Sequence, residues 1–180
     1  MDKLLIILDL DETMVFSTLS PLNRREDFQI DQYHVYRRPY SSDFILFCLD
    51  NFRVAVWSSS STAYAEAMVD QIFSSPQKLD FIWSREQCTQ RIDPETGQHF
   101  WLKNLKKIKR RGYNLDRVLM IDDSPEKLQK NYGNHLLVRP FLGDESDDEL
   151  LYLNKYLESI KETENIRSLD KRGWRNQHFL

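Results

Sequence analysis

The apolar run Leu4–Leu8 leads straight into Asp9, with Asp11 two positions on and Thr13 two beyond that, and a second run, Val118–Ile121, leads into Asp122-Asp123. In an open parallel α/β sheet, acids at the carboxyl ends of strands collect in the crevice where ligands bind. In a locally extended chain Asp9 and Asp11 point the same way. Asp9, Asp11, Asp122 and Asp123 in one crevice repel at neutral pH unless a cation sits among them. All-oxygen ligation suits Mg²⁺, which keeps several waters and shares its shell with a phosphate. A carboxylate clamped by such a cation attacks phosphorus, while a second carboxylic acid protonates the departing alkoxide and then activates water. Asp9 suits the first role. Asp11, placed near like charges, holds a proton to higher pH and suits the second. The phosphoryl group spreads charge over its equatorial oxygens and needs fixed donors. Ser58, closing the run Arg53–Ser58, offers a hydroxyl and the N–H of the following turn, and Lys103 offers a compact positive charge.

The elements that must position these residues read as alternating strands and helices. Strand-type runs fall at Leu4–Leu10, Arg53–Ser58, Asp80–Ser84, Val118–Asp122 and Leu136–Phe141. Helical patterns fall at Ser42–Asn51, Thr62–Phe73, Leu102–Arg111 and Asp147–Lys161, with Ser41 or Ser42 and Asp147 as N-caps. The alternation predicts an α/β fold with a central parallel sheet and helices on both faces. Asp93-Pro94-Glu95-Thr96-Gly97 supplies the turn of a β-hairpin insert at about 83–101. A single domain is expected over 1–162, followed by a charged tail, 163–180, which Trp174 and Phe179 anchor to the body or to a partner.

Bulk properties bound the rest. With 180 residues, 41% hydrophobic and 12% aromatic, the chain builds one real core. Its 25 Lys+Arg against 28 Asp+Glu give a formal net charge of -3, too near neutral to announce nucleic acid or membrane as a partner. Cys48 and Cys88 show no ligand pairing, and His34, His99, His135 and His178 show no metal spacing. Leu4–Leu8 is too short for a signal peptide or membrane span. An intracellular monomer, cytoplasmic or nuclear, is the expectation.

The segments "LDLDETMV", "VAVWSSS", "WLKNL" and "VLMIDDSP" resemble the four ordered motifs of the haloacid dehalogenase superfamily. Together with "YRRPY", "REQC" and "RPFLGDESDDELLYLNKYLESI" they resemble, over roughly residues 3–160, the small C-terminal-domain phosphatases, the NIF-like or FCP/SCP group. That group dephosphorylates phosphoserine in RNA polymerase II tails and other proteins. The resemblance implies a Rossmann-like core, Asp9 as nucleophile, Asp11 as acid/base with its carbonyl on the metal, and Thr13 orienting Asp11. It implies Ser58 and Lys103 on phosphate, Asp123 as a direct Mg²⁺ ligand with Asp122 beside it, and Tyr64 and Arg85 holding peptide. Leu19 stands where polymerase-tail enzymes present an aromatic, a loss for which Phe16 compensates. No interval has room for a large cap domain: a loop, a short extended piece and one helix lie between Thr13 and Ser58. The crevice is therefore expected to stay open to a phosphoprotein segment.

Blander readings stand beside each residue. A lone Asp-x-Asp is commonly a solvated strand end, and Ser58–Ser61 also makes an ordinary turn and helix cap. Lys103 lies in a basic run in which Lys106, Lys107 and Lys109 are decoys. Tyr64 and Arg85 are also explained by packing and exposure. Two further functions remain open: the same chemistry on a nucleotide, sugar phosphate or nucleic-acid end, and an idle phosphopeptide-binding module.

Overall fold

The computed structural model describes residues 3–177. Phe179 and His178 lie outside the described residues. The strands are β1 (Leu5–Leu8), β2 (Val15–Thr18), β3 (Phe28–Ile30), β4 (Tyr33–Arg37), β5 (Arg53–Trp57), β6 (Ile82–Trp83), β7 (Thr89–Ile92), β8 (His99–Leu102), β9 (Val118–Asp122) and β10 (His135–Leu137). The α-helices are α1 (Ser41–Asn51), α2 (Thr62–Ile72), α3 (Lys106–Arg110) and α4 (Glu149–Ile160). A five-stranded sheet of order β10-β9-β1-β5-β6, parallel throughout, forms the centre.

The apolar runs sit at its middle because both faces are covered. Leu4, Ile6 and Leu8 join Val54, Val56, Leu119 and Ile121 in a core with Phe44 and Cys48 of α1, Met68 and Val69 of α2, and Leu153 and Leu157 of α4. The alternate residues Leu5, Ile7, Ala55, Trp57, Val118 and Met120 pack on the other side with Ile108 of α3, Leu105, Leu128 and Phe81. This period of two carries the alternation past the strand ends: Asp9 and Asp122 extend the Leu5–Ile7 and Val118–Met120 face.

The structure corrects several boundaries. The helix expected over Leu102–Arg111 is only Lys106–Arg110, because Leu102 completes the hairpin strand β8 and Lys103 lies between the two elements. The last strand is His135–Leu137, shorter than Leu136–Phe141, since Pro140 has no N–H to give a ladder. The stretch after Thr13 is not a loop and a short extended piece. It forms a second, antiparallel sheet of order β2-β4-β3. At α1 neither Ser41 nor Ser42 caps; the N-cap is Tyr40, in the left-handed region at φ 65° with no side-chain cap. The N-cap of α4 is Asp148, while Asp147 accepts from the Glu149 N–H at 3.0 Å. The hairpin β7–β8 stands where the insert was expected.

Arg38, 1% exposed, ties these parts together. Its guanidinium donates twice to Asp147 (2.8 and 2.9 Å), to the Thr13 carbonyl (3.0 Å) and to the Arg139 carbonyl (2.9 Å). The bidentate pair thus fixes the loop after β1 against the entry to α4. Beyond α4, Ile166 and Trp174 are buried in the main core, and the Trp174 indole N–H donates to the Leu137 carbonyl at 2.8 Å.

Candidate active site

The register sets Asp9 beside Asp122: Leu8 pairs with Ile121, and the Asp9 N–H donates to the Ile121 carbonyl at 3.0 Å. On the other flank Leu8 pairs with Val56, which brings Ser58 to the same end of the sheet. Two buried carboxylates side by side need cations, and two lysines supply them. The Lys103 ammonium, wholly buried, lies 2.9 Å from Asp9 and 2.7 Å from Asp122. The Lys127 ammonium lies 3.0 Å from the other Asp9 oxygen and 3.8 Å from Asp122. The Lys103 N–H donates to the Lys127 carbonyl at 2.8 Å, so the two lysines are delivered together. Lys107 instead donates to the Gln87 and Cys88 carbonyls, while Lys106 and Lys109 lie at the surface.

Asp11 lies close enough to feel the Asp9 and Lys127 charges but is held by other partners. Leu10 accepts the N–H groups of Thr13, Met14 and Val15, and Glu12 takes φ 56°, so the chain turns sharply instead of running extended. The Asp11 carboxylate consequently faces the second sheet and α2: the Tyr64 hydroxyl donates to it at 2.8 Å and the Ser60 hydroxyl at 2.9 Å, with Ser17 at 3.4 Å. Thr13, expected to orient Asp11, faces Asp123 instead, its hydroxyl 3.4 Å from that carboxylate. Tyr64, expected on peptide, is engaged by Asp11 and Ser17. Ser58 is buried; its N–H donates to Trp83 and its hydroxyl accepts the Ser60 N–H at 3.0 Å. Arg85 stays at the rim, donating to the Ser59 carbonyl at 2.7 Å with its guanidinium over the Trp101 ring. Leu19 is exposed, and Phe16 lies near Gly143, where a Cβ would come within 3.2 Å of its ring and 2.5 Å of Leu22.

Carboxylate oxygens of Asp9, Asp122 and Asp123 lie within 4.8 Å of one another, a hard-oxygen set that fits a divalent cation; the Asp11 carboxylate is outside this group. Lys127 and Tyr64 carry the contacts that sequence patterns missed. Lys127 follows Asp-Asp-Ser-Pro-Glu in a turn where a lysine ordinarily reads as surface.

The charges sort the acids. Burial raises the proton affinity of Asp9, but Lys103 and Lys127 outweigh it and hold the carboxyl at about 2. Asp122 is pushed up to about 7 by burial and then by the Asp9 charge, against the pull of Lys103. Asp11 is raised by burial, with the Tyr64 hydrogen bond acting the other way. Glu12 rises to about 7 through burial and the Asp11 charge.

Asp122 and Glu12 bind protons more tightly folded than unfolded, so their stabilisation is complete below about pH 4 and is lost as pH rises through 7. Asp9 acts oppositely, its contribution present above about pH 4 and lost as pH falls toward 2. Asp122 alone is worth on the order of 3 kcal/mol. Thermal melts of metal-free protein should therefore fall by about 5–10 °C between pH 5 and pH 8. Added Mg²⁺ should restore most of that at pH 8 and little at pH 5; equal Mg²⁺ shifts at both pH values would contradict this origin.

Known proteins resemble the chain over most of its length. The profile of the NLI interacting factor-like phosphatase family matches residues 4–167. The chain is 29% identical over 172 residues to the CTD small phosphatase-like protein 2 of Dictyostelium discoideum, covering 92% of this chain and 29% of that protein. It is 26% identical over 176 residues to the human carboxy-terminal domain RNA polymerase II polypeptide A small phosphatase 1, covering 93% of this chain and 63% of that one. The chain thus spans from under a third to under two thirds of these relatives. In fold it is similar to the fission yeast RNA polymerase II CTD phosphatase Fcp1 bound to beryllium fluoride, with a TM-score of 0.59 at 19% identity over 94% of this chain and 54% of that one.

Proposed function

The chain belongs to the NLI interacting factor-like phosphatase family, and from that premise we propose that it hydrolyses phosphoserine or phosphothreonine esters of proteins through a phosphoryl group carried on Asp9. One observation carries the reading: a buried carboxylate kept ionised between two ammonium groups, with a second, proton-retaining carboxyl two residues away. An acid held at about 2 is a wasteful structural device, since an apolar pair would pack as well; as a nucleophile it is ready at every physiological pH.

In this mechanism one Asp9 oxygen attacks phosphorus as the bond to the seryl oxygen breaks. Asp11 gives its proton to that departing oxygen. Water then attacks phosphorus while Asp11 takes a proton, and the Asp9–phosphorus bond breaks to release inorganic phosphate. Ser58 and the turn after it line the phosphoryl site. Lys103 balances Asp9 and Asp122 throughout, so that Asp9 keeps its charge while buried. Asp9, Asp123 and the Asp11 carbonyl, with Asp122 behind them, would hold Mg²⁺, which supplies positive charge to the phosphoryl oxygens.

Tyr64 and Ser60 hold Asp11 in position. Tyr64→Phe removes a donor that favours the Asp11 carboxylate, so the Asp11 pKa rises. Activity that needs Asp11 protonated is lost as pH rises through that pKa, so the basic limb of the pH–rate profile should move to higher pH as kcat falls about tenfold. An unmoved limb with a raised KM would return Tyr64 to the peptide-contact role.

The protein substrate is supported by the absence of a large cap among the described residues: beyond the core elements α1, α2, β5 and β6, the intervals between motifs add only the small sheets β2-β4-β3 and β7-β8. A monomer acting on cytoplasmic or nuclear phosphoproteins is the corresponding reading. Phosphopeptides assayed with Mg²⁺ beside nucleotides and sugar phosphates test it. Peptides should lead in kcat/KM by about 100-fold; a metabolite in first place would overturn the protein substrate and leave the chemistry standing.

A further inference from the structure

A groove of about 960 Å³ opens beside the crevice, its near wall formed by Asp123, Pro125 and His135 and its far wall by residues 167–175. It meets the acid cluster at Asp123, and no other residue so far given a chemical role lines it. Its size is that of a site that holds a ligand or several side chains.

The lining combines apolar footing with positive charge. Tyr132, 83% exposed, and Leu137, 47% exposed, offer uncovered hydrophobic surface. Arg139, Arg167, Lys171, Arg172 and Arg175 face three acids, Asp123, Glu149 and Asp170. Glu149 is already saturated by Arg139 (2.9 Å) and Arg175 (2.7 Å). Asp170 is taken bidentately by Arg172. Arg139 and Arg175 also share Asp148, and Arg167 lies 3.6 Å from Asp116, so the cations with donors to spare are Arg167, Arg172 and Lys171.

Lys171 is the second, independent sign. It is 9% exposed, and its ammonium donates to the Ile166 carbonyl at 2.7 Å and the Leu169 carbonyl at 3.0 Å. Among the described residues no carboxylate lies within ion-pair distance of it. Two of three N–H donors are used, leaving one on a buried cation in the groove wall. Asp170 acts on it only from beyond ion-pair distance; a buried cation without a close counter-ion is costly, and an incoming anion would offset that cost.

We propose that this groove binds an acidic segment of the phosphoprotein substrate, carboxylate or phosphate, lying to one side of the phosphoserine seated over Asp9. The apolar footing takes the side chains between, and Lys171, Arg167 and Arg172 take the charges. Arg167 and Arg172 are largely exposed, their side chains 52% and 91% accessible, so their guanidinium groups keep donors free beyond their present pairs. The proposal rests on the reading of this chain as a protein phosphatase.

Three phosphoserine peptides test it: one with neutral flanks, and one each with three acidic residues before or after the phosphoserine. One acidic peptide, on one side only, should exceed the neutral peptide about tenfold in kcat/KM, mostly through KM, and the advantage should shrink with added salt. In Arg167→Ala/Arg172→Ala, whose replaced side chains lie at the surface, that advantage should fall to within about twofold. Lys171→Met, melted in parallel to check folding, should reduce it likewise. Equal turnover of all three peptides, or an advantage that survives the double variant, overturns the groove proposal alone. Hydrolysis of p-nitrophenyl phosphate with no turnover of any peptide overturns the protein substrate and the groove with it.

Discussion

Asp9→Asn will reduce phosphate release from an aryl phosphate by about 10⁴-fold or more, while the protein melts within a few degrees of the parent. The first half follows from replacing the proposed nucleophile, since an amide is a far poorer nucleophile than a carboxylate. The second half follows from the neighbouring charges. Asp122 is raised to about 7 partly by the Asp9 charge, so neutralising Asp9 lets Asp122 ionise and pair with Lys103, which already lies 2.7 Å from it. The buried ammonium keeps a counter-ion. Phosphate release and a thermal melt on the same preparation check both halves, and turnover within tenfold of the parent would contradict the role of Asp9.

Lys103→Met should behave differently, losing stability as well as activity. Lys103 is wholly buried and shared by two carboxylates. Without it Asp122 keeps the Ser124 N–H, at 2.9 Å, and among ammonium groups of the described residues Lys127, at 3.8 Å. Breaking a buried pair by removing one partner costs about 3–5 kcal/mol, because an uncompensated charge stays inside. For a chain of this size the melting temperature should fall by about 10 °C at pH 8, and activity by about 10³-fold. The stability deficit should narrow at pH 5. Protonated Asp122 no longer needs a cation, and its folded pKa of about 7 puts that crossover between the two conditions. A deficit equal at both pH values would mean that lost packing of the lysine stem, not charge, explains it.

How much of this was legible beforehand depends on which interactions leave a local trace. β1, β5 and β9 were readable because strands covered on both faces are apolar along nearly their whole length, polar only at Arg53 and Asp122 at their ends. Their parallel register then placed Asp9, Ser58 and Asp122 at one end without further information. The antiparallel sheet β2-β4-β3 was not read, although the turn between β3 and β4 holds Asp31 at φ 52°. Its strands are short and half-buried, so their alternation is broken by residues such as Ser17, which faces Asp11 and Tyr64. The hairpin was legible from Asp93 to Gly97, but its second strand took Leu102 away from the expected helix.

Within the site, residue types were easier to read than their contacts. Asp9, Asp11, Lys103 and Asp123 were identified by order and spacing, yet spacing alone put Asp9 and Asp11 on one side. The left-handed Glu12 separates them. Thr13 and Tyr64 were singled out, but with other partners: Thr13, expected on Asp11, meets Asp123, and Tyr64, expected on peptide, meets Asp11. Lys127 left no trace, since its significance lies in a contact with Asp9 across 118 residues of sequence.

The central claim is that phosphate passes through Asp9. Its most direct test is to mix the protein with a phosphopeptide and Mg²⁺, quench in acid during turnover, and reduce with borohydride, which converts an aspartyl phosphate to homoserine. Peptide mass spectrometry should then find homoserine at position 9, dependent on substrate and absent from Asp9→Asn. Homoserine at position 11, or at neither position during active turnover, would contradict the account.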